Sequence, residues 1–308
     1  MMVSLLRSLK RKQDIHKLPM SLFYTYIGIS RQGVHQAALA YDKREEMVSK
    51  ISLMTNTYRQ KVDFRAGSRS LYYNLNIKQI FSIGITKFER LMSDYGLSLK
   101  PLRIRIITTK SVLRSYNYPN LTNGFIIDNI NMLVVGDLTY IYINGKRYFL
   151  FCLTDVYSAR IVGHCVHVRM RAIEAKKAFD MWVKLRKKQN LSGCIHHTDG
   201  GSQYFSELYL SALDKINAIV SCAKNCLQNG YAEQRNNIIK NHLLPTLTMD
   251  NQEEVDKGIS KLISKCNQKR KQEALGWLSP VEFEKYISET NHRPKHKLFN
   301  FAENENRF

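Results

Sequence analysis

Negative charge is short in this 308-residue chain: 26 Asp plus Glu stand against 47 Lys plus Arg, a formal net charge of +21. That shortage disfavours basic partners and marks a surface suited to a polyanion. It is uneven, because residues 1–120 carry 21 basic and 7 acidic side chains and the remainder 26 and 19. The main binding arm is therefore expected in the N-terminal part. No apolar run approaches the roughly 20 residues that a membrane-spanning helix needs, so no membrane partner is expected. None of the six cysteines (Cys152, Cys165, Cys194, Cys222, Cys226 and Cys266) forms a Cys-x-x-Cys pair, and no His pair completes a zinc pattern. Several sit in apolar runs, where a thiol behaves as a small hydrophobe. Met1–Arg7 is too short for a signal peptide and runs into Lys10-Arg-Lys12. A reduced, cytoplasmic protein is the expectation. Hydrophobic residues at 44% permit a sizeable core.

Two N-terminal segments repeat one pattern. Ile27-Gly-Ile-Ser-Arg31 leads into an Ala-rich stretch, and Ile83-Gly-Ile-Thr-Lys87 leads into Phe88–Tyr95, which Gly96 is placed to terminate. In each, Gly permits a tight turn, Ser30 or Thr86 is read as the cap of the next helix, and Arg31 or Lys87 opens it. This is the grammar of a helix-turn-helix, whose second helix offers its first turn to DNA, although many αα-hairpins share it. Residues 1–60 and 61–100 are thus read as two all-α modules, with Ser30, Arg31, Thr86 and Lys87 as DNA contacts. Residues 101–129, basic, partly aromatic and carrying Pro119, are read as a linker.

From residue 130 the pattern becomes βββαβαβα. A strand at about 132–143 meets a second at 148–154 across Asn144-Gly145, the strongest short hairpin signal. A third runs over 160–168, and a helix follows on Ala172, Ala175, Phe179, Trp182 and Leu185. Residues 193–199 form a fourth strand, 205–216 a helix, 218–221 a fifth strand and 232–243 a further helix. Three antiparallel strands followed by crossover helices imply an α/β fold: a ribonuclease H-like core, a mixed five-stranded sheet with helices on both faces, over residues 130–245. A C-terminal helical extension, 246–308, completes the division.

Three carboxylates occupy settings that metal-dependent phosphoryl transfer requires. Asp137 interrupts the apolar run Met132–Ile141, where a lone charge is costly to bury. Asp199 ends the run in Ile195-His-His-Thr-Asp199, and Glu233 lies near the start of a helix. A lone strand Asp is more often a hydrogen-bonded structural residue; three that the topology brings together read as catalytic metal ligands. Two Mg²⁺ ions, with Mn²⁺ as the substitute, would neutralise both the attacking and the leaving oxygen of an in-line displacement. Lys240, seven residues past Glu233, would reach a DNA phosphate, and His197 either positions substrate or packs.

Asp137-Leu-Thr-Tyr-Ile141, His197-Thr-Asp-Gly-Gly-Ser-Gln-Tyr204 and Asn229-Gly-Tyr-Ala-Glu233 resemble the catalytic blocks of DDE insertion-sequence transposases of the IS-three family, whose catalytic subunit shares its core with retroviral integrases. Gly67–Tyr73 resembles that family's second helical module, and Asn267–Phe283 its C-terminal signature. The resemblance implies metal-dependent cleavage of element ends in double-stranded DNA and joining of the 3′-hydroxyl to target DNA. It further implies a homo-multimer on DNA and residence at a bacterial nucleoid. The chain departs from the pattern at Val134, where the family carries tryptophan, at Gln228-Asn229 for Asp-Asn, and at Lys271-Gln272 for Pro-His. The Asp199-to-Glu233 interval is also slightly short, with the deletion expected around Ala223–Leu227. The alternatives are a catalytically decayed or repurposed DNA-binding descendant, and a ribonuclease H-like nuclease that hydrolyses without joining.

Overall fold

The computed structural model describes residues 20–100, 118–187, 189–223, 229–243, 249, 251–290, 292–294 and 296–297. The chain starts with α1 (Met20–Ile27) and α2 (Arg31–Lys61), joined by a turn in which Gly28 takes φ +65°. Ser30 caps α2 as expected, its Oγ accepting from Gly33 N at 3.0 Å. Three short helices follow: α3 (Ser68–Asn74), α4 (Ile77–Phe81) and α5 (Ile85–Asp94). The second turn corrects its expectation. Gly84, at φ −76°, is itself the N-cap of α5, so Thr86 lies inside the first turn and caps nothing. The core of this region is shared. Val48, Ile51 and Tyr58, from the second half of α2, pack with Leu71, Tyr72, Ile77, Phe88 and Met92.

The body of the molecule is a five-stranded sheet of order β4-β3-β2-β5-β6, built from β2 (Leu133–Ile143), β3 (Lys146–Asp155), β4 (Ile161–His167), β5 (Ile195–Thr198) and β6 (Ile219–Cys222). β2 and β3 are antiparallel through a two-residue turn, where Asn144 at φ +49° and Gly145 at φ +75° supply the left-handed pair such a hairpin demands. β5 runs parallel to both β2 and β6. A short β1 (Ile126–Ile127) pairs with β7 (His296–Lys297) away from the main sheet. Residues 101–117 of the expected linker lie outside the described residues. Residues 118–129 are packed: Ile127 is buried, and Leu121 N donates to Ser221 Oγ at 2.9 Å.

Two helices, α6 (Ala172–Leu185) and α7 (Glu207–Asp214), cover one face of the sheet over Val134, Phe151 and Val162. The other face carries α8 (Gly230–Ile238) and α9 (Gln252–Lys269), with α10 (Pro280–Thr290) packed beside Tyr157 through Phe283 and Ile287. The helix expected over 232–243 ends its regular turns at Ile238 and continues as a wider π-turn over Ile239–Leu243.

Where β3 ends, Asp155, Ser158, Arg160 and Arg186 converge on Glu284 of α10. Arg186 donates to Glu284 Oε2 at 2.9 Å and Ser158 Oγ to Glu284 Oε1 at 2.8 Å, while Asp155 accepts from Ser158 N at 2.9 Å and Asn131 N at 2.7 Å. The arginines beside Glu284 hold its carboxyl below the usual range against the opposing pull of burial. Removing one member of such a network strands the others in low dielectric. Glu284→Ala is therefore expected to cost about 3–5 kcal/mol, read as a lower midpoint in urea unfolding with the folded spectrum retained below it.

Candidate active site

Asp137 sits mid-strand on β2, opposite Cys152 of β3, on the face that α8 covers. Asp199 follows the last residue of β5, the parallel neighbour of β2, and accepts from Gly201 N at 3.2 Å. Glu233 lies in the first turn of α8 and is exposed. Adjacent parallel strands put the two aspartates side by side, and the helix crossing them brings the glutamate in from above.

Burial and then the Asp199 charge push the Asp137 carboxyl up to about 7, with Glu233 adding to the rise. The hydrogen bond that Asp137 accepts from Asn236 Nδ2 pulls the other way. Asp199 is raised by burial, and Glu233 by burial and by Asp199. Like charges within reach of one another disfavour common ionisation, so each carboxylate here is held in an unfavourable charge state. As placed, no three His, Cys, Asp or Glu side chains among the described residues stand close enough to hold a metal ion. Both aspartates are half-buried and Glu233 is exposed.

The helix is tied to the strand it crosses. Asn229 Nδ2 donates to the carbonyl of Gly136 at 3.3 Å, one residue before Asp137, and Asn236 reaches Asp137 itself. Asn236, three residues past Glu233, is buried against the sheet while Glu233 is exposed. Lys240, in the π-turn, lies with Nζ 5.3 Å from the ring centre of Tyr140, which is 51% exposed. Burial lowers its ammonium below the usual range, and the nearby Asp137 opposes that fall. The expected basic group is thus at the carboxylates.

His197 packs, one of the two roles left open for it. It is 1% exposed, and its Nδ1 is 2.8 Å from Ser221 Oγ on β6, so it holds two strands together. Strand alternation was the available signal, since His197 shares the inward face with Ile195. Its neighbour His196 is stacked with Trp182 and bonded to Tyr209 OH on the opposite face. Arg31, Thr86 and Lys87 are exposed and lie far along the chain from this site; Ser30 is engaged in its cap.

A five-stranded mixed sheet with the carboxylates on its central strands and covering helix defines an integrase-type core. The family described as Integrase core domain matches residues 129–226. A transposase for insertion element IS904 from Lactococcus lactis is 32% identical over 204 residues, covering 65% of this chain and 79% of that protein. An uncharacterised 31 kDa protein of insertion element IS600 from Shigella sonnei is 29% identical over 267 residues, covering 84% and 96%. The chain belongs to the insertion-sequence transposases, enzymes built on an integrase core. A structure of the HTLV-2 integrase catalytic core domain in complex with magnesium aligns at 20% identity and TM-score 0.40, covering 50% of this chain and 96% of that one.

Proposed function

We propose that Asp137, Asp199 and Glu233 are the catalytic carboxylates of this transposase and hold two Mg²⁺ ions, with Mn²⁺ as a substitute. The supporting observation is that carboxylates from three separate elements lie near enough for Asp199 and Glu233 to add to the rise of Asp137 and for Asp199 to raise Glu233, with Asp137 in turn favouring the ammonium of Lys240. A site of hard oxygen donors in that condition fits a divalent cation, and the exposed Glu233 would close on it by side-chain rotation. Bound there, such ions would supply charge neutralisation at the scissile phosphate.

The chain's own groups have separate tasks. Asn236 fixes which oxygen of Asp137 faces the site. Lys240 meets a phosphate next to the carboxylates, and Tyr140 beneath it keeps its ammonium extended. Residues 1–60 and 61–100 bind the duplex, with Arg31 and Lys87 at the phosphates and Ser30 and Thr86 at the helix starts that present them. Residues 130–245 cut and join, 101–129 lead into this core and 246–308 brace it. Pairing of two element ends calls for a homo-multimer on DNA, at the nucleoid of a bacterial cell. No helix among the described residues is long and apolar enough to cross a membrane.

The test incubates the protein with labelled duplexes carrying the element's ends, a target plasmid and Mg²⁺. Nicking at the ends and joined product are expected from the wild type and not from an Asp137→Asn, Asp199→Asn double variant. Undiminished joining by that variant would overturn the assignment. Hydrolysis without joined product would favour a nuclease.

A further inference from the structure

The C-terminal signature segment has no place in the chemistry above, yet it contacts two distant parts of the molecule at once. Between α9 and α10 the chain folds into a loop, Arg270–Leu278, closed by the pairing of Gln272 with Leu278, with Gln272 N donating to Leu278 O at 3.0 Å. Gly276 and Trp277 both take left-handed backbone, at φ +64° and +62°. A tryptophan in that conformation costs on the order of 1 kcal/mol or more and persists only where its surroundings hold it.

One side of the loop grips the helical region. Trp277 stacks on Tyr73 of α3 at 3.9 Å between ring centres and 13° between planes. Arg270 Nε donates to the buried Asp63 at 2.9 Å, and Lys271 N to Asn74 Oδ1 at 3.0 Å. The other side grips α8. Gln272 accepts from Arg235 Nη1, two residues past Glu233; Arg235 Nη2 donates to Tyr231 OH at 3.1 Å, and Tyr231 OH to Val156 O at 3.2 Å. Arg235 and Gln272 are each 8% exposed. A cavity of about 500 Å³, lined by Ser70, Tyr231, Arg235, Gln272 and Trp277 among others, lies between the two grips.

A buried guanidinium is sensitive to loss of an acceptor: without Gln272, Arg235 Nη1 is left unpaired in low dielectric and only Tyr231 still holds the group. On the strand side α8 is otherwise held by Asn229 at its N-cap, by Tyr231 through Val156 O, and by Asn236 in its second turn. We propose that Gln272, through Arg235, is a positioning residue for Glu233, and that the loop carrying it couples docking of the helical region to assembly of the carboxylate site. The inference rests on Glu233 being the third carboxylate. Before the helical region docks, the Trp277 stack and the Asp63 pair are absent, and only the loop's own Gln272–Leu278 pairing and the packing of Leu275 hold its strained turn. Gln272 then loses its place against Arg235, and α8 its outer tether.

The full chain is the material for the test, with Mn²⁺ binding followed by electron paramagnetic resonance and end nicking measured in parallel. Gln272→Leu, similar in size but without an acceptor, is expected to weaken Mn²⁺ binding about 10-fold, the lower end of what loss of an orienting partner costs a metal site. Gln272→Glu keeps an acceptor for Arg235 and is expected to restore affinity to near wild type, a rescue that a purely structural role for the amide would not give. Tyr73→Ala, made on the helical side of the loop and far from α8 in the chain, is expected to weaken Mn²⁺ binding in the same direction. It also carries the test should Gln272→Leu fail to fold. Wild-type Mn²⁺ affinity in both Gln272→Leu and Tyr73→Ala would overturn the proposal. If Glu233→Gln loses affinity while those two do not, this coupling alone fails. If Glu233→Gln itself binds Mn²⁺ as the wild type does, the assignment of Glu233 fails with it.

Discussion

Asp137→Asn is expected to abolish end cleavage and joining, on the order of 10³-fold, the scale at which losing one preorganised electrostatic group costs a reaction, while raising the stability of the metal-free protein. The two halves have one cause. In the folded chain Asp137 lies in a desolvated position facing Asp199 and Glu233, and its carboxyl is pushed up to about 7. The unfolded chain carries it near the ordinary carboxylate value of about 3.9. The folded state therefore binds more protons than the unfolded one between those two values, so stability falls as pH rises from about 4 to about 7 and stays lowered above that. An amide of the same shape has no charge to desolvate and keeps an oxygen for Asn236. Each kcal/mol recovered is worth about 2–4 °C in melting temperature for a domain of this size.

The measurement is the difference in melting temperature between Asp137→Asn and the wild type, without metal, from pH 5 to pH 8. The difference should widen towards pH 8. The raw curves do not suffice, because burial lowers His164 to about 4 and His196 to about 3. Those groups give the opposite slope: the unfolded chain takes up their protons near pH 6.5 and the folded chain does not, so stability falls as pH drops through that range. Adding Mg²⁺ should stabilise the wild type and leave Asp137→Asn unmoved. A variant that melts below the wild type at pH 8 would remove the electrostatic reading of this site.

Gly163→Ala is expected to be among the most damaging single changes away from the site. A methyl built on Gly163 of β4 would lie 2.1 Å from the carbonyl oxygen of Ala178 and 3.3 Å from Trp182 N, both backbone atoms of α6. Backbone of a packed helix has no rotamer to change, so the whole of α6 must lift from the sheet. That would open the contacts of Ala178, Phe179 and the fully buried Trp182. Overpacking by a methyl commonly costs 1–3 kcal/mol where side chains can yield, so about 3 kcal/mol or more is expected here. Loss of soluble protein at 37 °C, or a drop of at least several degrees in melting temperature, would show it. A variant that melts like the wild type would mean that α6 can slide without loss.

Much of this architecture was legible because it is local. The period-2 apolar runs, Asn144-Gly145 and the helix spacing of Ala172–Leu185 are patterns between near neighbours, and each element lies within a few residues of its expected bounds. Strand order follows, since three antiparallel strands and right-handed crossovers leave few arrangements. With that order, Asp137 and Asp199 fall on adjacent strands. Ser30 was legible as a cap for the same local reason; Thr86 was not, because Gly84 takes the cap position itself and the helix starts one residue before the threonine.

What the linear order determined, then, is the class of the fold and the family, and it singled out the three carboxylates proposed for the site. Only the tertiary structure decided which polar groups face inward: His197 into the strand pair, Asn236 onto Asp137, Arg235 onto Gln272, Glu284 between two arginines. Except for His197 and Ser221, the residues in these contacts are 98 to 124 positions apart, or 37 for Arg235 and Gln272, and no periodicity links them. The physical reason is that burial sets the worth of a polar group. A lysine, histidine or glutamate is solvated almost anywhere on a surface, and becomes directional only where desolvation makes a missing partner costly.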